Sequence, residues 1–164
     1  MNIWVFFVAA LVPMVIGAIW YNPKVLGSIW MKEASMTTEQ IEGANMLKIF
    51  AATYFLSLLL SFMTYYLVVH QAHVFSSVAN QPGFGDADSE LGQWLNAYME
   101  NYGQNFRTFK HGLLHGAISG LFIAIPVLGV NALFERKSFR YILLNGGFWT
   151  LSISLMGGLI CWLV

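Results

Sequence analysis

Leu113–Phe134, LLHGAISGLFIAIPVLGVNALF, contains no Asp, Glu, Lys or Arg. At 1.5 Å of rise per residue it crosses roughly 30 Å of hydrocarbon. With three further apolar runs, Ile3–Tyr21, Met46–Val69 and Tyr141–Val164, it accounts for most of the chain. Together they predict an all-α, integral membrane four-helix bundle, a single transmembrane domain over residues 1–164. Its spans fall at about 3–21, 46–70, 111–134 and 140–164, with an outer loop at 71–110.

Composition agrees. The chain is 57% apolar and only 10% charged, where soluble domains carry about 25% charge. Aromatic residues gather at the span ends (Trp4, Trp20, Tyr21, Tyr65, Tyr66, Tyr141, Trp162), as interfacial anchors do. A net charge of zero points away from nucleic acid. Cys161 stands alone, so no intramolecular disulfide forms, and an inert buried thiol is expected. The first run begins at residue 3 with no basic stretch before it and no small-residue cleavage pattern, which reads as a retained span.

Four spans put both termini and the middle loop on one side. The two hairpin loops carry Lys24, Lys32, Lys48, Arg136, Lys137 and Arg140, whereas the other side carries Arg107 and Lys110. The positive-inside bias then places loops 22–45 and 135–140 in the cytoplasm, with both termini and the outer loop outside. Within that loop Leu91, Trp94, Leu95, Tyr98, Met99 and Tyr102 recur at helical spacing behind Ser89. They predict a short amphipathic helix with Ser89 as its N-cap. In the first hairpin loop Thr37-Thr38-Glu39-Gln40 offers a capping box, starting the second helix near Thr38. Aligning Pro13 with Pro126 sets Lys24 on Lys137 and suggests a 2+2 parallel repeat, two hairpins related about the membrane normal.

Small residues mark where helices approach in lipid. Gly112, Gly116, Gly120 and Ala124 follow strict four-residue spacing, and the last span offers Gly147, Thr150, Ser154 and Gly158. The second carries the row Thr53, Ser57, Ser61 and Tyr65. All four histidines, His70, His73, His111 and His115, fall at the outer face. His111 and His115 are one helical turn apart, a spacing that lets two imidazoles meet one metal ion or a haem iron. Asn131 and Asn145 are amides within apolar spans, and Glu135 lies at the inner end of the third. Interhelical hydrogen bonding is the expected role of such groups, a polar path the rival. No catalytic constellation is visible.

Two stretches carry a resemblance. Gly17-Ala18-Ile19-Trp20-Tyr21-Asn22-Pro23 with Gly27 and Trp30-Met31 is similar to the first-span signature of the bacterial domain-of-unknown-function family 1761. Asn131-Ala132-Leu133-Phe134-Glu135-Arg136-Lys137, Leu144-Asn145-Gly146-Gly147-Phe148 and Met156-Gly157-Gly158 resemble its second half. The resemblance implies a small four-helix protein of the bacterial inner membrane and no particular activity. Phe148-Trp149 stands where a Tyr-His-like pair would be expected, and the outer loop is longer than expected.

Three functional readings follow. The first is a non-enzymatic membrane subunit that self-associates or accompanies a larger complex in the lipid bilayer. The second is a small-solute or ion transporter or channel formed by an oligomer around the hydroxyl row with Asn131 and Asn145. The third is a metal- or haem-binding protein using the histidine cluster.

Overall fold

Proline, glycine and a few polar caps decide where the helices break in the computed structural model, which describes residues 2–164 and holds no strand among them. Helices α1 (Trp4–Ala9) and α2 (Val12–Trp20) are separated by a turn at Ala10-Leu11, because Pro13 has no N–H to continue the ladder. Asn22 then accepts a hydrogen bond from the Lys24 N–H and starts a wide π turn, Pro23–Gly27, that runs into α3 (Ser28–Ala34). The axis bends by 55° between Trp4–Trp20 and Pro23–Ala34. Any side chain at Gly27 would collide with the Tyr21 carbonyl, so the bend depends on this glycine.

The capping box forms as the residue types suggest: Thr37 N–H donates to Gln40 Oε1 and Gln40 N–H to Thr37 Oγ1. The helix it starts, α4 (Thr38–Glu42), nevertheless stops at Gly43 after little more than a turn. Asn45 caps a new start, α5 (Met46–Val68). Glycine is a poor helix former and asparagine a strong N-cap, so the pair wins over continuation. A second difference follows at Val69, whose extended backbone ends α5 and lets α6 (His70–Val78) set off separately. The outer loop therefore begins with a helix that periodicity did not reveal. It continues to α7 (Glu90–Tyr102), where Ser89 Oγ accepts from the Gly92 N–H.

Thr108 caps α8 (Phe109–Ser119), a π turn at Gly120–Ala124 leads into α9 (Ile125–Phe134), and Pro126 lies just beyond the turn. Here the wider turn accommodates the missing proline donor without a break. Ser138 caps the last helix, α10 (Phe139–Leu163). Met46–Val68, Phe109–Phe134 and Phe139–Leu163 are each long and apolar enough to cross a membrane, and the bent pair Trp4–Trp20 with Pro23–Ala34 makes a fourth if counted as one span.

Helix α10 is the hub. It packs against α1, α2, α3, α5, α8 and α9, and 56% of its most apolar stretch is buried, compared with 11% in α5 and 22% along Phe109–Phe134. The apolar surface of those outer helices faces away from the protein. At one end Val5, Phe6 and Ala9 of α1 meet Val68 and Val69 and the Ile160-Cys161 pair of α10 in a buried cluster.

The five glycines expected to mediate packing differ in what they touch. A methyl group at Gly112 would strike the Gly157 carbonyl, at Gly116 the Ile153 carbonyl, and at Gly120 the Thr150 backbone. All three lie against the main chain of α10, and Ser154 Oγ donates to the Leu113 carbonyl across the same seam at 2.7 Å. Gly158 instead receives the Phe109 ring, while a methyl group at Gly147 would come to 3.3 Å from the Trp20 indole.

Candidate metal centre

Two local features deliver three histidines to one place. The break at Val69 makes His70 the first residue of α6. The Thr108 cap, whose hydroxyl accepts from the His111 N–H at 3.2 Å, starts α8 so that His111 and His115 occupy successive turns. One ligand nitrogen from each of His70, His111 and His115 lies within 4.8 Å of the other two. His70 Nε2 and His111 Nε2 are 2.9 Å apart, one donating to the other. The ring centroids are separated by 4.9 Å for His70–His111 and for His70–His115, and by 4.4 Å for His111–His115. His70 is exposed and the other two half-buried. Phe106 covers the cluster, stacked on His111 at 5.1 Å and edge-on to His70.

His73 does not join them. Its Nε2 donates to the Tyr66 carbonyl at 2.7 Å, a group that the break at Val69 frees from the α5 ladder. The Val68 carbonyl, freed in the same way, accepts the Cys161 thiol at 3.4 Å. Cys161 is fully buried, and its Sγ is also 3.3 Å from the Phe106 carbonyl.

The turn between α7 and α8 holds Phe106 in the left-handed region, at φ 62°, which costs a non-glycine residue about 1–2 kcal/mol. Four contacts hold it there. Gln71 Nε2 donates to the Tyr102 and Asn105 carbonyls at 3.0 and 2.9 Å. Arg107 Nε donates to the Cys161 carbonyl, and the Cys161 thiol reaches the Phe106 carbonyl. Beside His70 a cavity of about 310 Å³ opens, lined also by Gln71, Tyr98, Tyr102, Asn105 and Phe106. Gln71 is 5% exposed and its Oε1 has no protein donor. A second cavity of about 330 Å³ lies on the other side of Gln71, with Gln104, Arg107 and Trp162 among its walls. Gln71 and Phe106 carry no motif in the sequence. Only the backbone break and the left-handed turn give them their places.

The polar residues at the opposite end are not brought together. Asn145 Oδ1 accepts from the Tyr21 hydroxyl at 2.9 Å, and its Nδ2 donates to the Tyr141 carbonyl. Trp20 Nε1 donates to the Leu144 carbonyl, and the Trp30 ring packs edge-on to Tyr21. Asn131 and Glu135 are exposed. Beside Glu135 the hairpin is tied to α3: Lys137 Nζ donates to the Ala34 carbonyl and Ser138 Oγ to a Glu33 carboxylate oxygen. Neither cavity is lined by Thr53, Ser57, Ser61, Asn131 or Asn145, and Tyr65 borders only the second.

The sequence model of the family described as protein of unknown function (DUF1761) matches residues 4–161, nearly the whole chain. The chain belongs to that family. No curated protein and no solved structure matches it.

Proposed function

For a member of a family whose function is unknown, we propose a membrane-spanning protein that binds one transition-metal ion at its outer end through His70, His111 and His115. The observation that carries this is the convergence of three imidazole nitrogens within 4.8 Å of one another. Zinc-class ions form bonds of about 2.0–2.1 Å to imidazole nitrogen, which spaces the donors of a tetrahedral site about 3.3 Å apart. Small ring rotations therefore close the cluster on an ion. Soft thiolate and hard carboxylate donors are missing from the cluster, and an all-imidazole set suits zinc, copper or nickel rather than calcium or magnesium. Three donors converging on a point also fit a small ion better than a haem, whose axial ligands stand on opposite faces of the ring.

Two helix N-termini meet here, and each opposes a bare cation by about 0.3–1 kcal/mol. Structural zinc sites contribute about 10–16 kcal/mol, so bond formation outweighs the dipoles. The four spans, and a cytoplasmic location for the hairpin loops, rest on helix length and apolarity together with the excess of lysine and arginine in those loops. The self-association reading drew on the Gly112–Gly116–Gly120 row, whose facing surface is α10 of the same chain. A transport path draws on polar rows of which Tyr65 alone borders either cavity.

The test is zinc or cobalt titration of detergent-purified, metal-stripped protein, read by calorimetry and elemental analysis. One ion per chain is expected, with affinity reduced by at least about tenfold in His111→Ala and His115→Ala and unchanged in His73→Ala. Substoichiometric binding, or an equal loss in His73→Ala, would exclude the site.

A further inference from the structure

We infer that the cavity walled by Tyr65, Phe75, Met99, Gln104, Arg107 and Trp162 holds the phosphate of an anionic lipid headgroup at the outer membrane surface. This rests on the membrane-spanning reading above and is independent of the metal ion.

Arg107 is the anchor. Residues 71–110 hold four acidic side chains, Asp86, Asp88, Glu90 and Glu100, against two basic ones, Arg107 and Lys110. None of the four acidic side chains lines this cavity. Arg107 is half-buried, and its Nε donates to the Cys161 carbonyl at 2.9 Å. That bond fixes the guanidinium against the last turn of α10, and the next residues, Trp162, Leu163 and Val164, form part of the cavity wall. One of the five guanidinium N–H groups is spent on Cys161. The four on the terminal nitrogens donate to no described residue. Such an edge matches two oxygens of one phosphate, a bidentate geometry that a lysine ammonium does not offer.

The other walls decide between a lipid and a free ion. Tyr65, Phe75 and Met99 are largely apolar, and inorganic phosphate would leave hydrated oxygens unbonded against them. A phosphodiester turns its oxygens to Arg107 and Gln104 and its glyceride to the apolar side. The volume of about 330 Å³ suits a headgroup rather than a whole lipid. Tyr65 and the exposed Trp162 stand at the ends of α5 and α10, the depth at which aromatic residues meet headgroups. A headgroup carrying an ammonium would set a second cation beside Arg107 with no Asp or Glu to offset it. The site therefore selects a net-negative lipid.

The test titrates the full chain in detergent with short-chain phosphatidylglycerol, phosphatidylethanolamine and inorganic phosphate, read by native mass spectrometry. One saturable phosphatidylglycerol per chain is expected, with phosphatidylethanolamine bound about tenfold more weakly and no displacement by equimolar phosphate. Arg107→Gln should lower phosphatidylglycerol affinity at least about tenfold, the scale of a charge-assisted hydrogen bond, and change phosphatidylethanolamine affinity little. If that variant does not fold, the selectivity of the unaltered protein decides, with Gln104→Leu, at an exposed position, expected to weaken phosphatidylglycerol binding severalfold. Unsaturable lipid adducts, or equal affinity for the two lipids, would mean ordinary bilayer lipid and overturn the site. An equal loss of both lipids in Arg107→Gln overturns the ion pair, and displacement by phosphate overturns the lipid. A chain that binds no lipid and stays dispersed without detergent would instead remove the membrane-spanning reading.

Discussion

His70 and His73 are three residues apart, yet their rings serve different groups. His70 faces His111, whereas His73 binds the Tyr66 carbonyl. The cause is the one extended residue between the helices, Val69, which turns His70 toward α8 and leaves a carbonyl for His73 to satisfy. His73→Ala should therefore lower thermal stability by an amount at the lower end of the about 0.5–1.5 kcal/mol typical of one hydrogen bond, since the site is exposed. Thermal unfolding in detergent checks it, and a stability loss above that range would mean that His73 does more than cap α5. That four histidines share one end was legible from the sequence. Which three converge was not, because it depends on the backbone conformation of Val69 alone, and β-branched residues occupy helices and extended segments alike. The same holds for Asn131 and Asn145. Both are amides in apolar runs, but only Asn145 meets a side-chain partner, Tyr21 at the end of α2.

Helices α8 and α10 make the closest approach in the molecule, main chain against main chain. Gly116 lies at its centre: any Cβ there meets the Ile153 carbonyl and the Ser154 Cα, rigid groups that cannot step aside. Gly116→Ala should cost about 1–3 kcal/mol through overpacking, and Gly116→Leu should prevent the two helices from docking. Leu121→Ile, at an exposed position on the same segment, should fall within about 0.5 kcal/mol of the parent. Melting curves of the three variants decide, and an unchanged Gly116→Ala would mean that the seam has slack. Four-residue spacing made this ridge visible in advance. Its partner Gly157 was hidden beside Gly158, for periodicity alone does not say which of two adjacent buried glycines meets the α8 backbone and which takes the Phe109 ring. The two short helices, α4 and α6, escaped for a related reason: each is set by a local contest between a cap and a breaker, below the length at which apolar periodicity carries a signal.

Taken whole, the chain alternates direction, bringing the first residues of α1, the break after α5, the start of α8 and the final turns of α10 to the same end. Ser35, at the close of α3, and Asn80, in the turn after α6, lie toward opposite ends and are both exposed. Single cysteines placed there in a Cys161→Ala background should react with a membrane-impermeant maleimide from opposite sides, Asn80→Cys from outside and Ser35→Cys only after the inner face is opened. Reversed labelling would turn the protein over and place the histidines in the cytoplasm. The long apolar helices, three or four of them according to how the bent pair is counted, were legible from the sequence because length and apolarity are written residue by residue. The rank of the helices was not, since nothing in the composition of the last run marks it as the one against which α1, α2, α3, α5, α8 and α9 pack. That rank bears on how the protein is made. Segments leave the ribosome in order, and the glycine faces of α8, the hydroxyl row of α5 and the inner side of α1 all await a helix that emerges after them. Until α10 arrives these surfaces lack the partner that buries them, so quality control of newly made chains would concentrate on the interval before its synthesis ends.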